Sequence, residues 1–273
     1  SGRTYGHLLF ESTSGVWNYS LAGGAALNVQ GDLAVGAAGN VNLNLSTFTG
    51  TINVTGTTTV SAGSTFSTNS TGVMNTGHVN INGTINLNTN VNSTGNWVNG
   101  SAAVQNSTGR TVVFNSSGDQ SVTRSGAGPV NFGNVVINKP SGNVNLSANV
   151  TVSGTLTLTS GKLNIGSNTL TLNGAVSRTG GFIAGSHTAG LVIAGNAGNL
   201  HFGSAGTDAY LKSLTVNNGA SATLATPLQI TAGTVPSDEG VVTVTGTGVL
   251  NTGGNLTLKS NANGTARIAA GRT

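Results

Sequence analysis

A nine-residue phrase, apolar–x–apolar–x–Gly–x–apolar–x–apolar, recurs along this chain and constrains its fold more than any other feature. It runs through Leu27, Val29, Gly31, Leu33 and Val35, then through Ile52, Val54, Gly56, Thr58 and Val60, where Thr58 takes one apolar place. Two further copies run through Val79, Ile81, Gly83, Ile85 and Leu87, and through Val150, Val152, Gly154, Leu156 and Leu158. The intervals from Leu27 to Ile52 and from Ile52 to Val79 are nearly equal, and that from Val79 to Val150 is close to three such intervals. A unit repeated in this way cannot bury its apolar face alone. It does so by stacking on its neighbours, which is the signature of a solenoid.

Within and around the phrase the apolar period is two, as in Leu163 and Ile165, Leu170 and Leu172, Leu214 and Val216, and Leu256 and Leu258. Period two with many β-branched residues is the mark of a strand with one buried face. No stretch carries the i, i+3, i+4, i+7 pattern of a helix. The glycine of each phrase (Gly31, Gly56, Gly83, Gly154) shares the parity of the apolar residues, so it is expected at an inward corner where no side chain fits. The expectation is an all-β, right-handed parallel β-helix of about ten or eleven turns, with about 24–27 residues and three short strands in each. A longer echo sets Val135–Leu172 against Leu214–Leu258. Ile137 answers to Val216 and Leu146 to Leu224, but Leu163 answers to Leu250 and Leu170 to Leu256, so the later pairs stand further apart. The echo reads as three turns plus an insertion near Val235–Gly240. Pro236 and two adjacent acids place that insertion in a surface loop.

Residues 1–20 differ from the rest, and residues 21–273 read as a single solenoid. Tyr5, Phe10, Trp17 and Tyr19 fall in the first segment, which lacks the glycine phrase. The end of a solenoid exposes unpaired backbone and core. These four residues are therefore expected either to cap their own coil or to contact another subunit.

Composition narrows the chemistry. Charged residues are only 6% of the chain and net charge is +4. The ten basic residues are scattered, so the charge does not read as a nucleic-acid surface. Cysteine is absent, which removes disulfides and thiolate sites. The chain begins at Ser1 with no signal peptide and no long apolar run, predicting a processed chain or a fragment without a membrane span.

A polysaccharide-cleaving β-helix needs converging carboxylates, or an acidic calcium cage with a basic residue. Only six acids exist: Glu11, Asp32, Asp119, Asp208, Asp238 and Glu239. Adjacent Asp238 and Glu239 would point to opposite faces, and Asp119 with Arg124 or Asp208 with Lys212 read as surface pairs. His187 and His201 could meet on one face but lack a nearby carboxylate. No catalytic residue, metal site or cofactor is expected. Trp97 alone outside the first segment offers no aromatic platform for sugars.

The stretches Leu156–Leu172 and Asn255–Ile268 resemble large secreted surface proteins of Bacteroidota, with adhesin-like repeats and type IX secretion. The resemblance implies export and a surface role, and in such proteins a further region with a C-terminal sorting domain follows; it transfers no catalytic residue. The reading is a non-enzymatic extracellular structural or adhesive β-helix at the cell surface that assembles head to tail into a filament. A carbohydrate-binding or polysaccharide-cleaving β-helix with surface glycans as partners, and the passive stalk of a larger adhesin, are the alternatives.

Overall fold

In this computed structural model the description covers residues 2–232, 239–262 and 264–269. The loop expected around Val235, Pro236 and Asp238 lies outside the described residues. Two compact units are present, Ser1–Ser116 with Gln120–Val135, and Ser117–Asp119 with Val136–Thr273. Both are parallel β-solenoids, and the described residues make about 11 turns of about three strands each. Among the described residues there is no helix, hence none long and apolar enough to cross a membrane.

Alternation dictates the architecture. A short strand such as Leu27–Val29 buries its first and third side chains and half-exposes its second, and Leu33–Val35, Ile52–Val54, Thr58–Val60 and Val79–Ile81 bury theirs at the same places. One such strand cannot stand in water, but stacked in register it forms one wall of a closed core.

The first unit has three such walls. The first wall stacks Arg3–Tyr5, Leu27–Val29, Ile52–Val54, Met74–Thr76, Val91–Ser93 and Thr111–Phe114. The second stacks Leu8–Phe10, Leu33–Val35, Thr58–Val60, Val79–Ile81, Trp97–Asn99 and Gln120–Arg124. The third stacks Val16–Ser20, Asn40–Asn44, Thr65–Ser67, Thr84–Asn86 and Val104–Asn106. Polar residues that fall on the inward phase find partners there. The Thr58 and Thr76 hydroxyls lie 2.8 Å apart, and the fully buried Trp97 indole donates to Gln105 Oε1 at 2.9 Å.

In the second unit one wall runs through Val150–Val152, Thr169–Leu172, Gly190–Ile193, Ser213–Val216, Gly240–Val244 and Ala266–Ala269. Strand Leu156–Asn164 serves two walls, pairing Leu156–Leu158 with Val176–Arg178 and Lys162–Asn164 with Phe182–Ala184. It turns the corner at Gly161, whose φ is 76°.

The turns are less uniform than expected. Paired residues in the first unit stand as close in sequence as Met74 and Val91, and as far apart as Leu33 and Thr58. In the second unit the step is short from Tyr210 to Gln229 and much longer from Leu228 to Leu256. The walls are held by the core, and the length varies in the corners, which face solvent.

Two sequence readings change as a result. The phrase copies at Gly31 and Gly56 join the first wall to the second. The copy at Gly83 joins the second wall, Val79–Ile81, to the third, Thr84–Asn86. The interval from Ile52 to Val79 is therefore one turn plus a displacement of one wall. The long echo is displaced in the same way. Val150 shares its wall with Leu170, Leu191 and Leu214, whereas its counterpart Leu228 pairs with Leu256 on another wall. The walls are chemically alike, so similarity of sequence does not report which wall a strand joins.

Candidate functional site

Of the four corner glycines, Gly83 is buried and the others are less so. Gly31, Gly56 and Gly154 are only half-buried, and none of the four adopts a positive φ. At the first corner Gly6, Gly31, Gly56, Gly77 and Gly95 follow one another from turn to turn, with the Gly56 amide donating to Gly31 O at 2.9 Å and the Gly95 amide to Gly77 O at 3.0 Å. A Cβ on Gly56 would run into Asp32 Oδ1 and sit 2.8 Å from the Gly31 carbonyl oxygen. On Gly83 it would collide with the carbonyl oxygens of Ser61 and Ser64. The obstruction is the preceding turn, so Gly56 and Gly83 set the close approach of turns rather than the shape of the core.

The residue after the corner glycine often accepts the amide of its counterpart one turn on. His7 Nδ1 accepts from Asp32 N at 3.0 Å, Asp32 Oδ1 from Thr57 N at 2.7 Å, His78 Nδ1 from Asn96 N at 3.0 Å and Asn96 Oδ1 from Ser121 N at 2.8 Å. In the second unit Asp119 Oδ1 accepts from Asn143 N, and Asn149 Oδ1 from Thr169 N, both at 2.8 Å. Two histidines and two of the chain's acids are thereby engaged in joining turns. Outward on the first wall, Asn28, Asn53, Asn75 and Asn92 form an amide ladder, each Nδ2 donating to the preceding Oδ1 at 2.8, 2.7 and 2.8 Å. Asparagine, abundant and poorly suited to strands by propensity, is used here as an inter-turn connector.

The aromatic segment is built into the coil rather than set apart from it. Residues Arg3–Ser20 form its first turn. Tyr5, Phe10, Trp17 and Tyr19 stack in register on Val29, Val35, Val41 and Leu43, all buried. All four thus occupy the inward phase, and their rings spread over the core of the next turn. Phe10 and Tyr19 meet edge to face at 5.1 Å, the Tyr19 hydroxyl donates to Glu11 O at 2.9 Å, and the Trp17 indole donates to Ser14 O at 3.0 Å. The cover is incomplete: Trp17 is 47% exposed, and a hollow of about 440 Å³ opens between Tyr5, Leu8, Phe10, Leu27 and Phe48. Among the described residues the strands Arg3–Tyr5, Leu8–Phe10 and Val16–Ser20 each end their ladder, paired on one side only. In the second unit Val249–Asn251, Leu256–Lys259 and Ala266–Ala269 are the last described strands of theirs. There the inward-phase Leu258 and Ile268, in register with Ile230 and Val242, are 37% and 60% exposed.

The ionisable groups pair differently from the sequence expectation. Asp208 meets Lys162, not Lys212, at 3.3 Å, and both are largely buried. The segment carrying Asp208 folds back so that Gly203 lies against the Phe182 ring and Gly185 N donates to Asp208 O at 2.8 Å. The Arg124 guanidinium donates to the carbonyl oxygens of Ala127 and Ala103. The His187 ring packs edge to face on Tyr210 at 4.9 Å. His201 is held below the usual imidazole range by burial and, secondarily, by the Arg178 charge. Lys139 is fully buried and donates to Gly118 O at 2.6 Å. Burial lowers its pKa, with Asp119 opposing. Asp238 lies outside the described residues, and Glu239 pairs with Arg267 at 2.9 Å. Among the described residues no three His, Cys, Asp or Glu side chains gather in a group that would hold a metal ion.

Comparison with known proteins finds no matching family model, no matching curated protein and no matching solved structure.

Proposed function

We propose that this chain is a non-enzymatic structural and adhesive β-solenoid that works outside the cell, at its surface, and assembles head to tail into a filament. The observation that carries the reading is the state of the first and last described turns. Inward-phase residues, buried in the intermediate turns, are uncovered there: Trp17 on one, where a hollow also opens beside Tyr5 and Phe10, and Leu258 and Ile268 on the other. Among the described residues, the strands of both turns also leave one edge unpaired. A second copy placed end to end would satisfy those edges by continuing the parallel ladders, and would bury the exposed core residues. A charged content of 6% leaves little repulsion against such stacking. The largely uncharged outer walls and the resemblance to secreted surface proteins support a role as an extracellular scaffold.

Electron microscopy and light scattering of the concentrated protein test this reading. Filaments are expected from the wild type, and short particles from Trp17→Glu and from Ile268→Glu. Monodisperse monomers of wild-type protein at high concentration would remove the filament.

A further inference from the structure

The third wall of the first unit differs from the other two in how much side-chain surface it turns outward. Its strands bury Leu43, Phe66 and Ile85 between flanking residues that face away from the core, and so present two outward rows instead of one. One row is Asn18, Asn42, Thr65, Thr84 and Val104, and the other is Ser20, Asn44, Ser67, Asn86 and Asn106, as the pairing register fixes. All of these side chains except Val104 are small, polar and uncharged. Two shallow hollows lie along them. One, of about 410 Å³, is lined by Asn44, Ser67, Asn86, Asn88, Asn106 and Thr108. The other, of about 370 Å³, includes Asn18, Asn42 and Thr65 and shares Asn44 and Ser67 with the first. They therefore form one groove that crosses the turns.

We propose that this groove binds a neutral, linear polysaccharide lying across the turns. Three properties select that class of ligand. First, the lining carries carboxamides and hydroxyls and no Lys, Arg, Asp or Glu. An acidic glycan or a nucleic acid needs cations, whereas sugar hydroxyls pair with groups that both donate and accept. Second, the repeat is set by the stacking of turns, about 4.8 Å, close to the rise per sugar in an extended β-linked glycan. Five strands thus offer about four equivalent steps, roughly 19 Å. Third, the side chains are already held. Asn106 Nδ2 donates to Asn86 Oδ1 at 2.7 Å, Asn86 Nδ2 to Ser67 Oγ at 3.0 Å, and Asn44 Oδ1 accepts from Ser46 N at 2.9 Å. Side chains fixed before binding lose little rotamer freedom when the ligand arrives. Tyr19, at one end of the groove, is the one aromatic residue among those lining the two hollows, and its ring is already turned onto Leu43 and Phe10, so affinity rests on repeated hydrogen bonds and grows with oligosaccharide length.

The test is binding to insoluble cellulose, chitin and β-1,3-glucan, with polygalacturonate and alginate as acidic comparators, followed by calorimetry on a length series of oligosaccharides from the polymer retained. It is run on wild type and on the end-charged variant Ile268→Glu, so that filament formation and groove binding are read separately. Asn86→Leu with Asn106→Leu is expected to weaken binding about tenfold or more, as loss of one or two hydrogen bonds implies. Asn75→Leu, on the first wall, leaves it within about twofold, and circular dichroism confirms that both variants keep the fold. Retention by none of the neutral polymers, preference for the acidic ones, or equal binding by the two variants would each overturn the proposal.

Discussion

The amide ladder allows a test in which local propensity and inter-turn bonding point in opposite directions. Asn53 stands inside the ladder: its Nδ2 donates to Asn28 Oδ1 at 2.8 Å and its Oδ1 accepts from Asn75 Nδ2 at 2.7 Å. Asn28 and Asn92 stand at its ends and each make one such bond. A hydrogen bond of this kind contributes about 1 kcal/mol net. Replacing an interior asparagine by alanine is therefore expected to cost about 2 kcal/mol, and an end one about 1 kcal/mol. Asn53→Thr is the sharper perturbation. Threonine suits a strand better than asparagine by a fraction of a scale spanning about 1 kcal/mol, so at a merely solvated position the change stabilises. In the ladder it removes both carboxamide bonds and is expected to cost about 1 to 1.5 kcal/mol net. Urea unfolding followed by circular dichroism measures these differences through the shift in midpoint at constant slope. A cycle on Asn53 and Asn75 should show coupling, and one on Asn28 and Asn92, which do not touch, should be additive. An Asn53→Thr protein as stable as wild type, or equal losses at interior and end positions, would refute the ladder as a source of stability.

Gly83→Ala should destabilise by about 3 kcal/mol, because its Cβ meets two backbone carbonyls that cannot turn away. Gly109→Ala should cost only about 1 kcal/mol, since that site is open and carries just the strain of its φ of 70°; equal losses in thermal denaturation would contradict the close-approach explanation. Lys139 makes stability depend on alkaline pH. Its folded pKa lies below the ordinary lysine value, so the folded chain holds this proton less firmly than the unfolded chain, and stability rises with pH from the folded pKa up to the unfolded one. The rise should be missing in Lys139→Met, and parallel pH profiles for the two proteins by urea unfolding would exclude Lys139 as its source.

Strand type and inward phase were legible in the sequence because period-two alternation is a direct imprint of a closed core on its walls. The three-strand turn was legible for the same reason. Turn length was not, since it is absorbed by corners where only the approach to the preceding turn is constrained. The sequence also drew attention to Gly31, Gly56 and Gly83, but parity alone points inward, and the atoms that exclude a Cβ from them belong to the preceding turn. Distance along the chain likewise hid the partner of Lys162, which lies two turns on at Asp208, and the third-wall groove, whose lining is drawn from several strands. Solenoid contacts are made between turns, so residues that act together carry no short spacing. The asparagine at the centre of the first-wall strands was the available signal, since a residue poorly suited to strands that recurs at their centre needs a reason to be there.

The aromatic residues of the first described turn set it apart from the turns that follow. An inner turn is covered on both sides and is filled mostly by Val, Leu and Ile. Among the described residues the first turn has a neighbour on one side only, and Tyr5, Phe10, Trp17 and Tyr19 spread wider rings across the core beneath them. The last described turn carries aliphatic Leu258 and Ile268 instead. A contact between two like ends would close on itself as a pair. A contact between the aromatic end of one copy and the aliphatic end of another continues the strands in the parallel sense already used by every ladder, and leaves a free end of each kind for the next copy. The proposed assembly is therefore polar and open-ended. It predicts that mixing Trp17→Glu with Ile268→Glu yields particles no longer than dimers, because each variant retains one competent end and the two competent ends are complementary. Long filaments from that mixture would show that the copies meet through their walls instead.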